Sequence, residues 1–139
     1  MKYNKKYEEL KGVELFVGID IGKDTHFVSL MKKDGELILS GLKVSNNLKG
    51  FDTLLNELNI SNAKIAIAME PTGHYWKALA YFLKERNYRI FLINPFHVKL
   101  SKELMDNRQR KTDKKDSLLI CNLLREGKYL NNVSSEVII

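Results

Sequence analysis

Residues 14–44, ELFVGIDIGKDTHFVSLMKKDGELILSGLKV, decide the fold. Three apolar runs lie inside this stretch, at 14–20, 25–33 and 36–44. They are rich in Val, Ile, Phe and Leu, residues that suit a pleated, half-buried surface. Asp34 and Gly35 stand between the second and third runs. That dipeptide is a strong hairpin signal, because a tight turn needs residues that tolerate positive φ. Connections this short join antiparallel neighbours, so the segment reads as a three-stranded meander.

Downstream the pattern changes. Asn46 or Asn47 can cap a helix that carries Leu48, Phe51, Leu54, Leu55 and Leu58 at helical spacing. Residues 63–70, AKIAIAME, read as a buried strand, followed by a helix over about 74–86 with Trp76, Leu79, Ala80 and Leu83 on one face. Residues 88–94, YRIFLIN, form another buried strand, stopped by Pro95. A short helix over 96–104, a polar stretch over 106–111 and a helix from Thr112 to about Glu126 complete the order, with Gly127 as its C-cap. Three antiparallel strands thus precede parallel crossovers. The expected architecture is α/β: a mixed five-stranded sheet flanked by helices. This is the layout of the ribonuclease H-like fold, and actin-like kinase lobes begin in the same way.

The chain has 139 residues, 44% hydrophobic and 29% charged. Such a composition supports one globular core and excludes a disordered tail, a collagen-like repeat and a coiled-coil rod. Lys and Arg number 23 against 17 acids, a net charge of +6 that fits a polyanionic partner. The single cysteine, Cys121, excludes an internal disulfide framework and a cysteine-based zinc site. Residues 1–12 are a polar lead-in with no apolar run behind their basic residues, unlike a secretory signal. The apolar runs at 65–69 and 90–93 are too short to span a membrane. A reduced, cytoplasmic location is expected.

Four carboxylates stand out. Asp20 ends the apolar run 15–19, and Glu70 ends the run 65–69. Asp113 and Asp116 lie three residues apart at the start of the last helix, on the face that continues through Ile120 and Leu123 or Leu124. Each has an ordinary explanation: a turn residue, a loop acid, a pair complementing a helix N-terminus. Taken together on one fold they favour a metal site. Gathered carboxylates repel unless a cation sits among them, and hard divalent cations take oxygen ligands. Two such ions can activate an attacking oxygen and stabilise a leaving oxygen at phosphorus.

Residues 17–26 (VGIDIGKDTH), 69–76 (MEPTGHYW), Asn94 with Pro95, and 110–117 (RKTDKKDS) resemble the N-terminal domain of the DEDD transposases. These are RuvC-like recombinases of bacterial insertion sequences, guided by a bridge RNA. The resemblance covers roughly residues 13–130. It implies a RuvC-like fold, and it makes Asp20, Glu70, Asp113 and Asp116 the Mg2+-binding catalytic tetrad, with Mn2+ as a substitute, of an enzyme that cleaves DNA and transfers strands. It also implies homo-oligomers and a following domain that carries a catalytic serine. Residues 131–139 are then expected to begin a linker to that domain, and the chain alone to be inactive.

Residues 97–115 hold Lys99, Lys102, Arg108, Arg110, Lys111, Lys114 and Lys115 against Glu103, Asp106 and Asp113. A solvated face explains such a run. Its position beside the acidic pair favours a phosphate track for DNA. Two rivals remain. One is a non-catalytic domain that binds nucleic acid or assembles with partners. The other is a phosphate-binding domain of the actin-like ATPase or sugar-kinase type, which the segment 18–22 (GIDIG) resembles; there Gly lets the backbone approach phosphate. Such enzymes need a second lobe, for which the chain has no room. His26, His74 and His97 are too scattered for a zinc site, and Trp76 and Cys121 read as core residues.

Overall fold

The computed structural model describes residues 8–59, 62–106 and 113–132; for 105–106, 113–115 and 131–132 it describes the backbone alone. Six strands form one sheet: β1 Leu15–Asp20, β2 Thr25–Lys32, β3 Leu37–Ser45, β4 Ile65–Met69, β5 Arg89–Leu92 and β6 Asn131–Asn132. Among the described residues, besides a helical end at 8–10, the helices are α1 Leu48–Leu58, α2 Lys77–Glu85, α3 Pro95–Asp106 and α4 Asp113–Arg125. The spatial order is β3-β2-β1-β4-β5-β6. β1 runs antiparallel to β2 and parallel to β4, and β4 runs parallel to β5.

All five expected strands form, and the sheet is mixed and flanked by helices, as the ribonuclease H-like reading requires. A sixth, two-residue strand pairs antiparallel with β5, at the start of the stretch expected to be linker. The turn after β2 is built as its sequence demands. Gly35 has φ +92°, and the Glu36 amide donates to Asp34 Oδ1 at 2.9 Å. Asn47 caps α1 by accepting from the Gly50 amide at 3.0 Å. Leu48, expected on the apolar face of α1, is instead exposed, while Gly50 and Phe51 of the same turn are the residues that face inward. At the other end of the chain Gly127 adopts φ +79° and closes α4, with the Lys128 amide donating to the Leu123 carbonyl.

The pleat divides the core in two. Val17, Ile19, Ile65, Ile67 and Met69 face α1 and α2, where they pack against Phe51, Leu54, Leu79 and Leu83. Phe16, Ala66, Ala68 and Phe91 face the opposite layer, with Ile120, Cys121 and Leu124 of α4. On that second face the strands carry small residues at the centre, and α4 comes very close. A Cβ on Gly18 would collide with the Ser117 carbonyl oxygen and the Cys121 amide nitrogen, and would lie 2.7 Å from the Cys121 Cα. Gly18 therefore serves helix packing and not the approach of a phosphate. Gly22 is likewise taken up by the protein's own backbone, since a Cβ there would strike the Thr25 carbonyl oxygen. Neither glycine is free for the phosphate-loop role in the kinase-type alternative.

Candidate metal centre

Parallel pairing of β1 and β4 puts Ile19 opposite Met69. The next residues, Asp20 and Glu70, therefore sit side by side where both strands end. The pleat also sets their direction. Asp20 follows Phe16 and Gly18, and Glu70 follows Ala66 and Ala68, so both fall on the α4 side of the sheet. Both are partly buried. Glu70 is held by its own loop, accepting from Thr72 Oγ1 at 3.0 Å.

The direction of α4 brings the second acidic pair to the same end. Ser117 lies over Gly18 and bonds Ser29 Oγ, at 2.7 Å, on the neighbouring strand. One turn later Cys121 Sγ donates to the Phe16 carbonyl at 2.9 Å. Another turn on, Arg125 donates to the Lys33 carbonyl beside the hairpin at 3.4 Å. The helix thus runs against β1, from the end of that strand toward its start. Its first turn, Asp113 to Asp116, lies at the Asp20 and Glu70 end of the sheet. Asp113 is fixed only by its backbone position, since its side chain lies outside the described residues.

Asp116 is three-quarters buried and pairs with Lys102 of α3, Nζ to Oδ2 3.2 Å. Among the described side chains, no three His, Cys, Asp or Glu groups converge closely enough to hold a metal ion. The Lys102 ammonium is a positive charge held against one of the four candidate carboxylates. All four candidate ligands are carboxylates, the hard oxygen donors that divalent cations of the Mg2+ class prefer. The donor set and this cation-accepting carboxylate fit a divalent metal.

Of the basic run, Lys99 is exposed and Lys102 half-buried on α3. Arg108, Arg110 and Lys111 lie outside the described residues. Lys114 and Lys115 are placed on the first turn of α4 by backbone alone. His74 and His97 stay at the surface, and Tyr75 rests on His74 with ring centroids 4.3 Å apart. Trp76 and Cys121 are buried, as read from the sequence. Burial pushes the Cys121 thiol up to about 12, so it is an inert core group.

Two buried features beside the site were not legible in the sequence. The first is the Ser29–Ser117 bond, which fixes α4 to the sheet one residue after Asp116. The second is His26, fully buried on β2, whose Nδ1 accepts from the Gly22 amide at 3.1 Å. That bond pins the loop that leaves Asp20. Asn46 holds the same loop, donating from Nδ2 to the Lys23 carbonyl at 2.9 Å and from its backbone amide to the Asp24 carbonyl at 2.8 Å. Because Nδ1 accepts, the imidazole proton belongs on Nε2, toward Asn46. Desolvation lowers the His26 pKa, and the Asn46 side chain offsets part of that shift.

A family model described as "Transposase", of the DEDD type, matches residues 17–137. The chain belongs to the DEDD transposase family. This DEDD domain is 25% identical over 108 residues to the pilin gene-inverting protein of Moraxella lacunata and, to the same extent, to that of Moraxella bovis. Each alignment covers 76% of the domain but 32% of the relative, so the chain spans about a third of the length of these curated relatives. Among solved structures it is similar to T. thermophilus RuvC in complex with a Holliday junction substrate. The TM-score is 0.62 at 16% identity, covering 86% of the domain and 99% of that chain. The likeness establishes the RuvC-like, ribonuclease H-like fold. Divalent-metal dependence goes with this family and fold. No helix among the described residues is long and apolar enough to cross a membrane.

Proposed function

We propose that this DEDD domain is the metal-binding catalytic part of a longer DNA transposase or recombinase that cleaves DNA phosphodiesters and transfers strands. One observation carries the reading. Asp20 and Glu70 end adjacent parallel strands, and α4 runs back across the small residues Gly18, Ala66 and Ala68 to bring its acidic first turn to the same place. The tetrad Asp20, Glu70, Asp113 and Asp116 would hold Mg2+, with Mn2+ as a substitute. The bound ions supply attraction for the phosphate and its developing charge, which bare carboxylates would repel. The protein's own part is positioning: strand ends fix two carboxylates, and the close α4 contact fixes the turn that bears the other two.

Lys99, Lys102, Arg108, Arg110, Lys111, Lys114 and Lys115 would line a phosphate track that leads DNA to this end of the sheet. Such contacts hold the backbone without reading bases. Target choice would fall to a guide RNA, as the resemblance implies, in a homo-oligomeric assembly in the cytoplasm. The pilin gene-inverting relatives are about three times as long as the aligned segment. A further domain with the serine nucleophile accordingly belongs to the proposal, and the 139-residue chain by itself should not join strands.

The test is Mn2+ binding by electron paramagnetic resonance titration, followed by thermal unfolding with and without the ion. A ligand that binds only the folded state stabilises it by roughly 2.7 kcal/mol at 100 times its Kd. The wild-type chain should gain thermal stability with Mn2+ and lose the gain with EDTA. Asp20→Asn, Glu70→Gln and Asp116→Asn should each weaken binding and shrink the gain. Unchanged binding in all three variants would refute the site.

A further inference from the structure

Lys102 has two assignments that conflict as long as it is treated as a fixed residue. It belongs to the basic run that would track DNA phosphates, yet its ammonium lies 3.2 Å from Asp116, a member of the proposed metal tetrad. One ammonium cannot serve both a carboxylate and a phosphate at full strength. We infer that Lys102 couples the two binding events: it neutralises Asp116 while the metal is away, and metal binding at Asp116 releases it toward a DNA phosphate. The inference rests on the proposed metal site and adds to it a positioning residue on α3.

The geometry supports an exchange of partners. The Lys102 and Asp116 side chains are 33% and 25% exposed, so the pair stands at the rim of the site, open to an incoming ligand on one side. Lys102 has a long, flexible stem and a compact charge that can change partner without moving the backbone. Asp116 has no such freedom. Its neighbour Ser117 is fully buried and bonded to Ser29, and the helix beneath it touches Gly18. The mobile member is therefore the lysine. A divalent ion brings two charges to Asp116 where the ammonium brings one, and it repels Lys102 in addition. The displaced charge then lies beside the metal end of the sheet, where a phosphate would arrive.

Coupling of this kind is reciprocal. Metal should raise affinity for DNA, and DNA should raise affinity for metal by the same factor, because each relieves a competitor of the other. A lysine acting only as a scaffold would show neither effect, and one acting only as a phosphate contact would leave metal affinity in the absence of DNA unchanged.

The experiment measures Mn2+ affinity of the 139-residue chain, alone and with a short duplex DNA of generic sequence, for five proteins: wild type, Lys102→Gln, Lys102→Arg, Asp116→Asn and the double variant Lys102→Gln with Asp116→Asn. Without DNA, Lys102→Gln should bind Mn2+ more tightly, by about two- to five-fold, the scale of a partly exposed ion pair removed from competition. Lys102→Arg, which keeps the charge, should stay near wild type. With Asp116→Asn in place, Lys102→Gln should no longer increase affinity. Mn2+ should strengthen DNA binding by wild type more than by Lys102→Gln. Unchanged or weaker Mn2+ binding by Lys102→Gln, alongside weakened binding by Asp116→Asn, would overturn the coupling and leave the metal site standing. If Asp20→Asn, Glu70→Gln and Asp116→Asn all bind Mn2+ as wild type does, the metal site itself is what fails.

Discussion

A methyl group at Gly18 would meet backbone atoms of α4, which cannot rotate away as a side chain could. Overpacking of a close-packed core costs about 1–3 kcal/mol, occasionally more. Gly18→Ala should therefore fall at or above the top of that range, read as a lowered urea midpoint. It should also weaken Mn2+ binding, since α4 must lift and carry Asp113 and Asp116 with it. A substitution that leaves both unchanged would show that the contact is looser than the geometry requires. His26 makes the second residue-scale prediction. Burial holds its pKa below 6.5, so the unfolded chain takes up a proton more readily than the folded one. Its contribution to stability is complete above about pH 6.5. It shrinks as pH falls below that value and is gone once pH passes the lowered folded-state pKa. Protonation would also turn Nδ1 from acceptor to donor and break its bond from the Gly22 amide. Stability measured between pH 7.5 and 5 should fall more steeply for wild type than for His26→Asn, whose side-chain oxygen can still accept from Gly22. Parallel pH profiles would remove the assigned role of His26.

Among the elements, α4 decides whether there is a site. Its apolar stripe of Ile120, Leu123 and Leu124 is buried, as its spacing indicates, but a stripe fixes only which side faces the sheet. Height along the sheet is set by polar contacts. Ser117 Oγ and Ser29 Oγ are 2.7 Å apart and fully buried, and Ser29 also accepts from the Gly41 amide at 3.1 Å. Deleting one hydroxyl removes a buried hydrogen bond worth about 0.5–1.5 kcal/mol net, while the other keeps its remaining contacts. Ser117→Ala and Ser29→Ala should each be destabilising by roughly that amount, whereas the double variant should cost less than the sum. A double-mutant cycle in urea gives the coupling directly. Strict additivity would mean that the two hydroxyls do not depend on one another.

At the scale of the whole molecule, the net charge of +6 becomes a statement about encounter. Each DNA phosphate contact releases condensed counterions, so log affinity should fall with log salt by about 0.9 per contact on duplex DNA. Reversing the charges of Arg108, Arg110 and Lys111 together should weaken binding alike for unrelated sequences and flatten that slope. Fluorescence anisotropy at several salt concentrations reads both. An unchanged affinity and slope would leave the run as a solvated face and move the track elsewhere.

Local signals in the sequence determined the first five strands, the helices between and after them, and their order; the short β6 exists only through its pairing with β5. The apolar runs, the Asp34–Gly35 turn, a cap at Asn46 or Asn47 and the Gly127 stop are properties of neighbouring residues, so they can be read without knowing what lies across the core. The position of Asp20 and Glu70 at strand ends was legible for the same reason, because an acid that closes an apolar run must sit where the strand leaves the interior. Tertiary structure alone decided what depends on distant partners. The pairing of Ile19 with Met69 joins residues separated by two intervening strands and a helix, and nothing local encodes it. Gly18 reads locally as a phosphate-loop glycine, whereas in the fold α4 lies directly on it. Ser29 and Ser117 are 88 residues apart and carry no motif, yet their bond sets the height of the acidic turn. His26 and Lys102 were an unremarkable histidine and one charge in a basic run. Their burial and pairing come from long-range packing, which brings a side chain to a loop or a carboxylate that its own neighbourhood in the sequence does not contain.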